Sequence, residues 1–402
     1  MRDMKVGQAG SLRGVWPIAN RPQVDNLPHN GVAEGRVDPH SPYGVHSHFR
    51  NRFMILPQGY NAVLFLMVLS LLCLGSWASA FKFAGTWRFE LFYLDFALGL
   101  FVASAIVAFT LGNLGYDGFN FLDDLQHAGK RQWLYVFVAG LIFNFGNMLL
   151  MAAVSVGGLA VAFPMGMGMA LLLGTGLGIA SRPAGNSLML GMGCLLILTS
   201  IIVNAISYRI KGVERHEALA RAGLAKSTRR PSPLKGIILA IAAGVLLGGF
   251  VPLMEKSRQG DLGLGPYAAG FLFAFGVFFS TFVYEIFFVN LPVEGEPVEL
   301  SAYLSGSVGQ HVAGFASGLV WYAGTIMAWV SASVPESMQV QPTLRSLLSQ
   351  GAPILAALWG IVVFREFKDG DMRVKVLGIL MLVLLLCGMA MVDLAPVLLP
   401  RE

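Results

Sequence analysis

The sequence predicts an all-α polytopic membrane protein: ten transmembrane helices arranged as two inverted five-helix repeats. Three observations carry that expectation. The chain is 55% hydrophobic and only 13% charged, against roughly 25% charged in soluble domains. Apolar runs of about 20 residues recur along it, the length needed to cross ~30 Å of hydrocarbon as a helix. Finally, Leu141-Ile-Phe-Asn-Phe-Gly-Asn-Met through Ser155 pairs without a gap with Leu319-Val-Trp-Tyr-Ala-Gly-Thr-Ile through Ser333. In the same register Gly140 falls on Gly318, Gly146 on Gly324 and Pro164 on Pro342.

The spans follow in order. The first, 57–81, stops at Lys82, and the second, 91–111, starts behind Arg88 and Glu90. The third, 133–155, starts behind Lys130 and Arg131, and the fourth, 158–180, carries Pro164 and ends before Arg182. The fifth, 187–209, runs into a basic loop, from which the sixth, 235–254, emerges to end before Lys256 and Arg258. The seventh is 267–290, the eighth 311–333 opening at His311, the ninth 339–364 containing Pro342, and the tenth 374–395. Polar residues at every turn, the mark of a soluble core helix, are missing from these runs. Period-two alternation is missing too, which excludes a membrane barrel.

This gives a first repeat over 54–210, a basic cytosolic loop over 211–234 and a second repeat over 235–396. Residues 1–53 stand outside the plan, with five prolines, four histidines and no apolar run. They read either as a disordered tail or as a mis-assigned start, translation beginning at Met54; the composition favours the second. No secretory signal pattern is present in them. With both termini outside, the inner loops hold Lys82, Arg88, the basic residues from Arg209 to Lys235, and Arg365, Lys368, Arg373 and Lys375. The outer loops hold only Lys130, Arg131, Arg182, Lys256, Arg258 and Arg401. The positive-inside rule therefore expects a plasma or inner membrane protein with its central loop in the cytosol. The net charge of +5 sits in that loop and the tail and calls for no nucleic-acid partner.

Several motifs carry no chemistry. Cys73, Cys194 and Cys387 lie inside apolar runs without CxxC spacing and read as packing residues, not as disulfides or metal ligands. The glycines from Gly166 to Gly178 imitate a dinucleotide loop but lie inside an apolar helix, where small residues let helices approach closely. Ala220 to Ser227 has phosphate-loop spacing with alanine in place of both glycines. Its backbone N–H groups cannot curl around a phosphate. No cofactor or metal is expected.

Polar groups inside the spans remain. Each ionisable one costs about 2.5–3.5 kcal/mol on insertion scales, so each is a functional hypothesis by default. Lys82, Arg88, Glu90, Lys256 and Asp393 stand at helix ends, where side chains snorkel to the interface. Asp95 lies one turn into the second helix, where it is either a helix N-terminal charge or a cavity residue, and Glu285 and Arg345 are deeper. Asn144 and Asn147 share one face of the third helix, and their repeat counterparts Tyr322 and Thr325 are also polar. Pro164 and Pro342 are read as helix breaks that free backbone carbonyls, and the ninth span adds Gln341, Arg345 and Gln350. A midplane site at proline-interrupted segments of two matching repeats points to a secondary transporter. The substrate-binding candidates are Asn144, Asn147, Tyr322, Thr325, Gln341, Arg345 and Gln350. Glu285 and Asp95 are the proton-coupling candidates. Glu285 has no acidic counterpart, since the repeat places Val107 there. It alternates between a desolvated setting and one paired to Arg345, or else forms a static pair with it.

Leu74-Gly-Ser-Trp77, Tyr93-Leu-Asp95 followed by Thr110-Leu-Gly112, Gly146-Asn147 and Trp359-Gly-Ile-Val-Val-Phe-Arg-Glu366 stand in this order over about 58–396. In these residues the chain resembles the ureide permease group. It also resembles its neighbours, the L-rhamnose–proton symporters and glucose/ribose porters of the drug/metabolite transporter superfamily. The resemblance implies two inverted five-helix repeats and proton-coupled uptake of ureides, nucleobases or sugars, with Asp95 and Asn147 as site residues. The expected partners are a small uncharged polar solute, protons and the lipid bilayer, in a monomer or homodimer. An exporter of amphipathic metabolites on the same fold is the alternative. A membrane enzyme on lipid-linked substrates would need a convergent catalytic set, and neither HExxH nor paired intramembrane acids occur.

Overall fold

The computed structural model describes residues 54–115, 119–181, 185–222, 233–293, 295–368 and 370–396. The tail 1–53, with Arg182, Lys226, Arg229, Arg230 and Arg401, lies outside the described residues. Among the described residues the secondary structure is helical throughout, with no strand. The helices are α1 (Tyr60–Ser76), α2 (Ser79–Phe83), α3 (Phe89–Phe109), α4 (Phe121–His127), α5 (Lys130–Gly157), α6 (Leu159–Ser181) and α7 (Ser187–Arg221). They continue as α8 (Leu234–Gly249), α9 (Val251–Ser257), α10 (Pro266–Asn290), α11 (Val308–Ser331), α12 (Pro342–Gln350), α13 (Ala352–Leu358) and α14 (Met372–Leu394). Eight spans among the described residues are long and apolar enough to cross a membrane, with α8 and α9 counted as one. The bent pair α12–α13 would bring them to nine.

The departures from ten straight spans have local causes. The first expected span divides at Trp77 into α1, 17 residues long, and α2. There the Ser79 hydroxyl takes the Ser76 carbonyl at 2.5 Å, competing with the helical ladder. The ninth bends by 42° at Gly351. Pro353 follows at the start of α13 and has no N–H to give the turn behind it. The break is therefore not at Pro342, which opens α12 at a position where the missing donor costs nothing. Nor does Pro164 interrupt α6, which runs on through it to Ser181. α7 continues past Arg209 to Arg221, so a helix occupies the first half of the segment expected as loop. Glu217 and Arg221 pair one turn apart on it, at 3.8 Å.

α3 packs on α10 and α11, α5 on α8 and α10, α6 on α7, α8 and α13, α1 on α11 and α13, and α7 on α14. Where α11 crosses α3, a Cβ on Gly318 would lie 2.0 Å from the Phe96 carbonyl. Where α5 crosses α10, one on Gly140 would lie 2.6 Å from the Phe273 carbonyl. The two glycines matched in the sequence thus hold two comparable crossings. Gly174, Gly176 and Gly178, expected to serve the same purpose in α6, have nothing within 4 Å.

Candidate functional site

A cavity of about 820 Å³ lies between α1, α5, α6, α8, α9, α11, α12 and α13. Among aliphatic residues such as Leu74, Met167 and Leu247, six aromatic rings stand in its wall: Trp77, Phe143, Phe163, Phe250, Trp321 and Trp329. They brace one another, with Phe143 and Trp321 centroids 4.6 Å apart and Trp77 edge-on to Phe163 at 6.0 Å. The polar groups set into this wall are few: Asn147, Thr175, Glu255, Thr325, Arg345, Ser346, Ser349 and Gln350. A largely apolar concavity with sparse polar groups is the usual form of a small-molecule site.

Of the residues expected to bind substrate, Asn147, Thr325, Arg345 and Gln350 line the cavity, whereas Asn144, Tyr322 and Gln341 do not. Asn147 gives its amide N–H to the Tyr93 hydroxyl at 3.0 Å. Tyr93 in turn donates to Asn144 Oδ1 at 2.9 Å. Asn144 is wholly buried and donates to the Val277 carbonyl, Ser280 Oγ and Thr281 Oγ1 at 2.8–3.0 Å. It is a tie between α5 and α10 and supports Asn147 through Tyr93. Tyr322 is 1% exposed and packs away from the cavity, its hydroxyl near Gly270 of α10. Gln341 lies exposed as the N-cap of α12. The cavity-facing side of α5 and α11 is thus Phe143 with Asn147 and Trp321 with Thr325, one position over from the Asn144–Tyr322 pair.

The ionisable groups also arrange themselves differently from expectation. Arg345 hydrogen-bonds Gln339, not Glu285. Glu285 is 1% exposed on α10, off the cavity, and among the described residues no donor reaches either of its oxygens. Glu90 of α3 is itself fully buried and held by Arg88 through two bonds of 2.7 and 3.1 Å. Asp95 is buried between Tyr303, whose hydroxyl donates at 2.5 Å, and His311 Nδ1 at 2.9 Å. Burial first, then the Asp95 carboxylate, push the Tyr303 hydroxyl well above the usual phenol range. Glu90 and Asp393 do not snorkel as expected. Asp393 is 7% exposed and accepts from Ser346 and Gln350 behind the cavity wall.

Away from the cavity lining, Glu366 accepts from the first two N–H groups of α6, those of Leu159 (3.0 Å) and Ala160 (2.9 Å). Its carboxylate also pairs with Lys82 at 3.2 Å. A carboxylate on unpaired N–H groups at a helix N-terminus is a favoured arrangement. Gly158, at φ +87°, leaves room for it: a Cβ there would sit 2.6 Å from the carboxylate.

No family model matches the chain. Curated relatives do. The chain is 22% identical to ureide permease 1 of Arabidopsis thaliana over 84% of its own length and 97% of the relative's. It is 23% identical to ureide permease 4 of the same plant, over 81% and 94%. Against the probable ureide permease A3 of Vigna unguiculata it is 24% identical, over 70% and 88%. These relatives are named as ureide permeases; the chain is similar to them over most of its length and is an integral membrane transporter, not an enzyme.

Proposed function

We propose that this protein is a secondary active transporter that takes up a small uncharged polar solute, a ureide, nucleobase or sugar, together with protons moving down their gradient. The observation that carries the reading is the cavity: aromatic walls for a compact ring or ureide skeleton, with Asn147 and Thr325 from matching helices as its hydrogen-bonding groups. Among the described residues no donor reaches Asn147 Oδ1, because its amide N–H is the group bonded to Tyr93. That oxygen is the acceptor offered to a solute N–H or O–H.

The same reading includes ten spans in two inverted repeats, counting α1–α2 and α12–α13 as one span each. Packing supports it, since exchanging the two halves exchanges the pairings. α3 on α11 becomes α10 on α5; α8 on α5 and α6 becomes α1 on α11 and α13; α7 and α14 change places. Glu285 and Asp95 remain the proton carriers in this reading, the first because it is buried without a donor. The plasma or inner membrane, with both ends outside and the central loop cytosolic, follows the charge distribution; the protein works as a monomer or homodimer.

An exporter of amphipathic metabolites is the second reading, favoured by the Glu255 carboxylate among so many rings. A thermal-shift screen of the purified protein separates the two. Stabilisation by purine ureides, nucleobases or sugars is expected. Stabilisation by lipophilic cations alone would replace uptake with export.

A further inference from the structure

The tenth span carries an acid that neither the cavity nor the coupling candidates absorb. Asp393 lies near the end of α14 and is 7% exposed. Its Oδ1 accepts from Ser346 Oγ and from Gln350 Nε2 at 3.1 Å, and Gln350 Nε2 also reaches Ser346 Oγ at 2.7 Å. Its Oδ2 is buried and meets no donor among the described residues, and the same is true of Gln350 Oε1. Two acceptor oxygens are thus buried in one three-residue cluster with no hydrogen between them. Buried polar atoms are satisfied in nearly all cases, and an exception of this kind marks a bound water, proton or ion.

Charge sharpens the argument. A buried carboxylate held only by neutral donors is uncompensated and costs several kcal/mol. Arg345, the cation on the same face of α12, is turned to Gln339. α7, packed against this end of α14, brings Leu190 and Gly193, which carry no charge. Water supplies hydrogens but no charge; a monovalent cation supplies what the cluster lacks. Hard cations of this kind take carboxylate, amide carbonyl and hydroxyl oxygens, the three types assembled here.

We propose that Asp393, Gln350 and Ser346 form a binding site for a monovalent cation, sodium or a proton. Ser346 and Gln350 belong at the same time to the cavity wall. A cation on Asp393 therefore reorganises the groups that face the solute, and this would link ion occupancy to solute affinity. That linkage rests on the transport reading; the binding itself does not.

The test uses the full-length purified protein without solute. Its thermal midpoint is measured in sodium chloride against choline chloride at equal ionic strength and fixed pH, then over pH 5 to 8 in choline. A saturable rise with sodium assigns a sodium site; a rise only on acidification assigns a proton site. In either case Asp393→Asn should abolish that response, and Glu299→Gln, a change at an exposed carboxylate away from every site described above, should keep it. Ser346→Ala, a milder change that guards against a folding failure of the first variant, should weaken the response about tenfold in concentration. Midpoints indifferent to both ions, or a response that survives in Asp393→Asn and in Ser346→Ala unchanged, would overturn the proposal and leave a bound water as the account of the two oxygens. A response to cation without any solute stabilisation would keep the site and refute the transport reading instead.

Discussion

Asn144 and Asn147 sit one turn apart on α5 and do different work. Asn147 faces the cavity and keeps one oxygen for it; Asn144 spends every polar atom on Tyr93 and α10. Asn147→Ala should raise the apparent solute dissociation constant by about 1–3 kcal/mol, roughly tenfold to a hundredfold, with the protein still abundant. Asn144→Ala should instead lower the thermal midpoint, since it strips partners from Tyr93, Ser280 and Thr281. Titrating solute into both variants and melting them without it checks the pair; equal loss of affinity in both would dissolve the distinction. For Glu285, Glu285→Gln keeps the shape and removes the proton. Proton-driven accumulation in vesicles should vanish while exchange of internal for external solute continues. Accumulation that persists with its usual pH dependence would pass the role to Asp95. The sequence set both asparagines on one face of this helix, and the structure puts only Asn147 at the cavity. Apolar spans supply no hydrophobic stripe from which a face can be read, so Asn144 and Asn147 were indistinguishable before the packing was known.

At the scale of an element, close crossings depend on glycine at particular points. Gly318→Val forces three carbons into the carbonyl ridge of α3, and membrane yield should collapse, because α11 has no other way to approach. Gly178→Ala in α6 meets nothing and should express like the parent. Fluorescence-detected size exclusion of both variants is sufficient, and equal yields would contradict the crossing. Helix ends were less legible than helix positions. The ninth span was expected to break at Pro342, yet that proline opens α12, and the bend belongs to Gly351 and Pro353. The signal was present in the sequence, but a proline frees a carbonyl only if a turn precedes it. Asp393 shows the opposite difficulty. An acid near a helix end reads as interfacial unless one knows that α12 covers it.

Across the whole molecule, Gly140 and Gly318 stand at two close crossings, α5 on α10 and α11 on α3. Long-range ties such as Glu366 to α6 had no signature, because hydrogen bonds between a loop carboxylate and backbone amides leave no pattern of residue types. That tie also has a consequence in time. Glu366 binds together α6, the end of the broken ninth span and Lys82 of α2. Hydrogen bonds to a charged group contribute about 1.5–3 kcal/mol each, so losing them shifts a two-state population by roughly tenfold to a hundredfold or more per bond. Glu366→Gln should therefore raise the fraction of molecules in which these three segments have parted, read as faster labelling of a cysteine placed at Phe163 by an impermeant reagent. Unchanged labelling would mean that packing alone holds them together. With the carboxylate in place their parting is a rare event, and one side chain keeps it so.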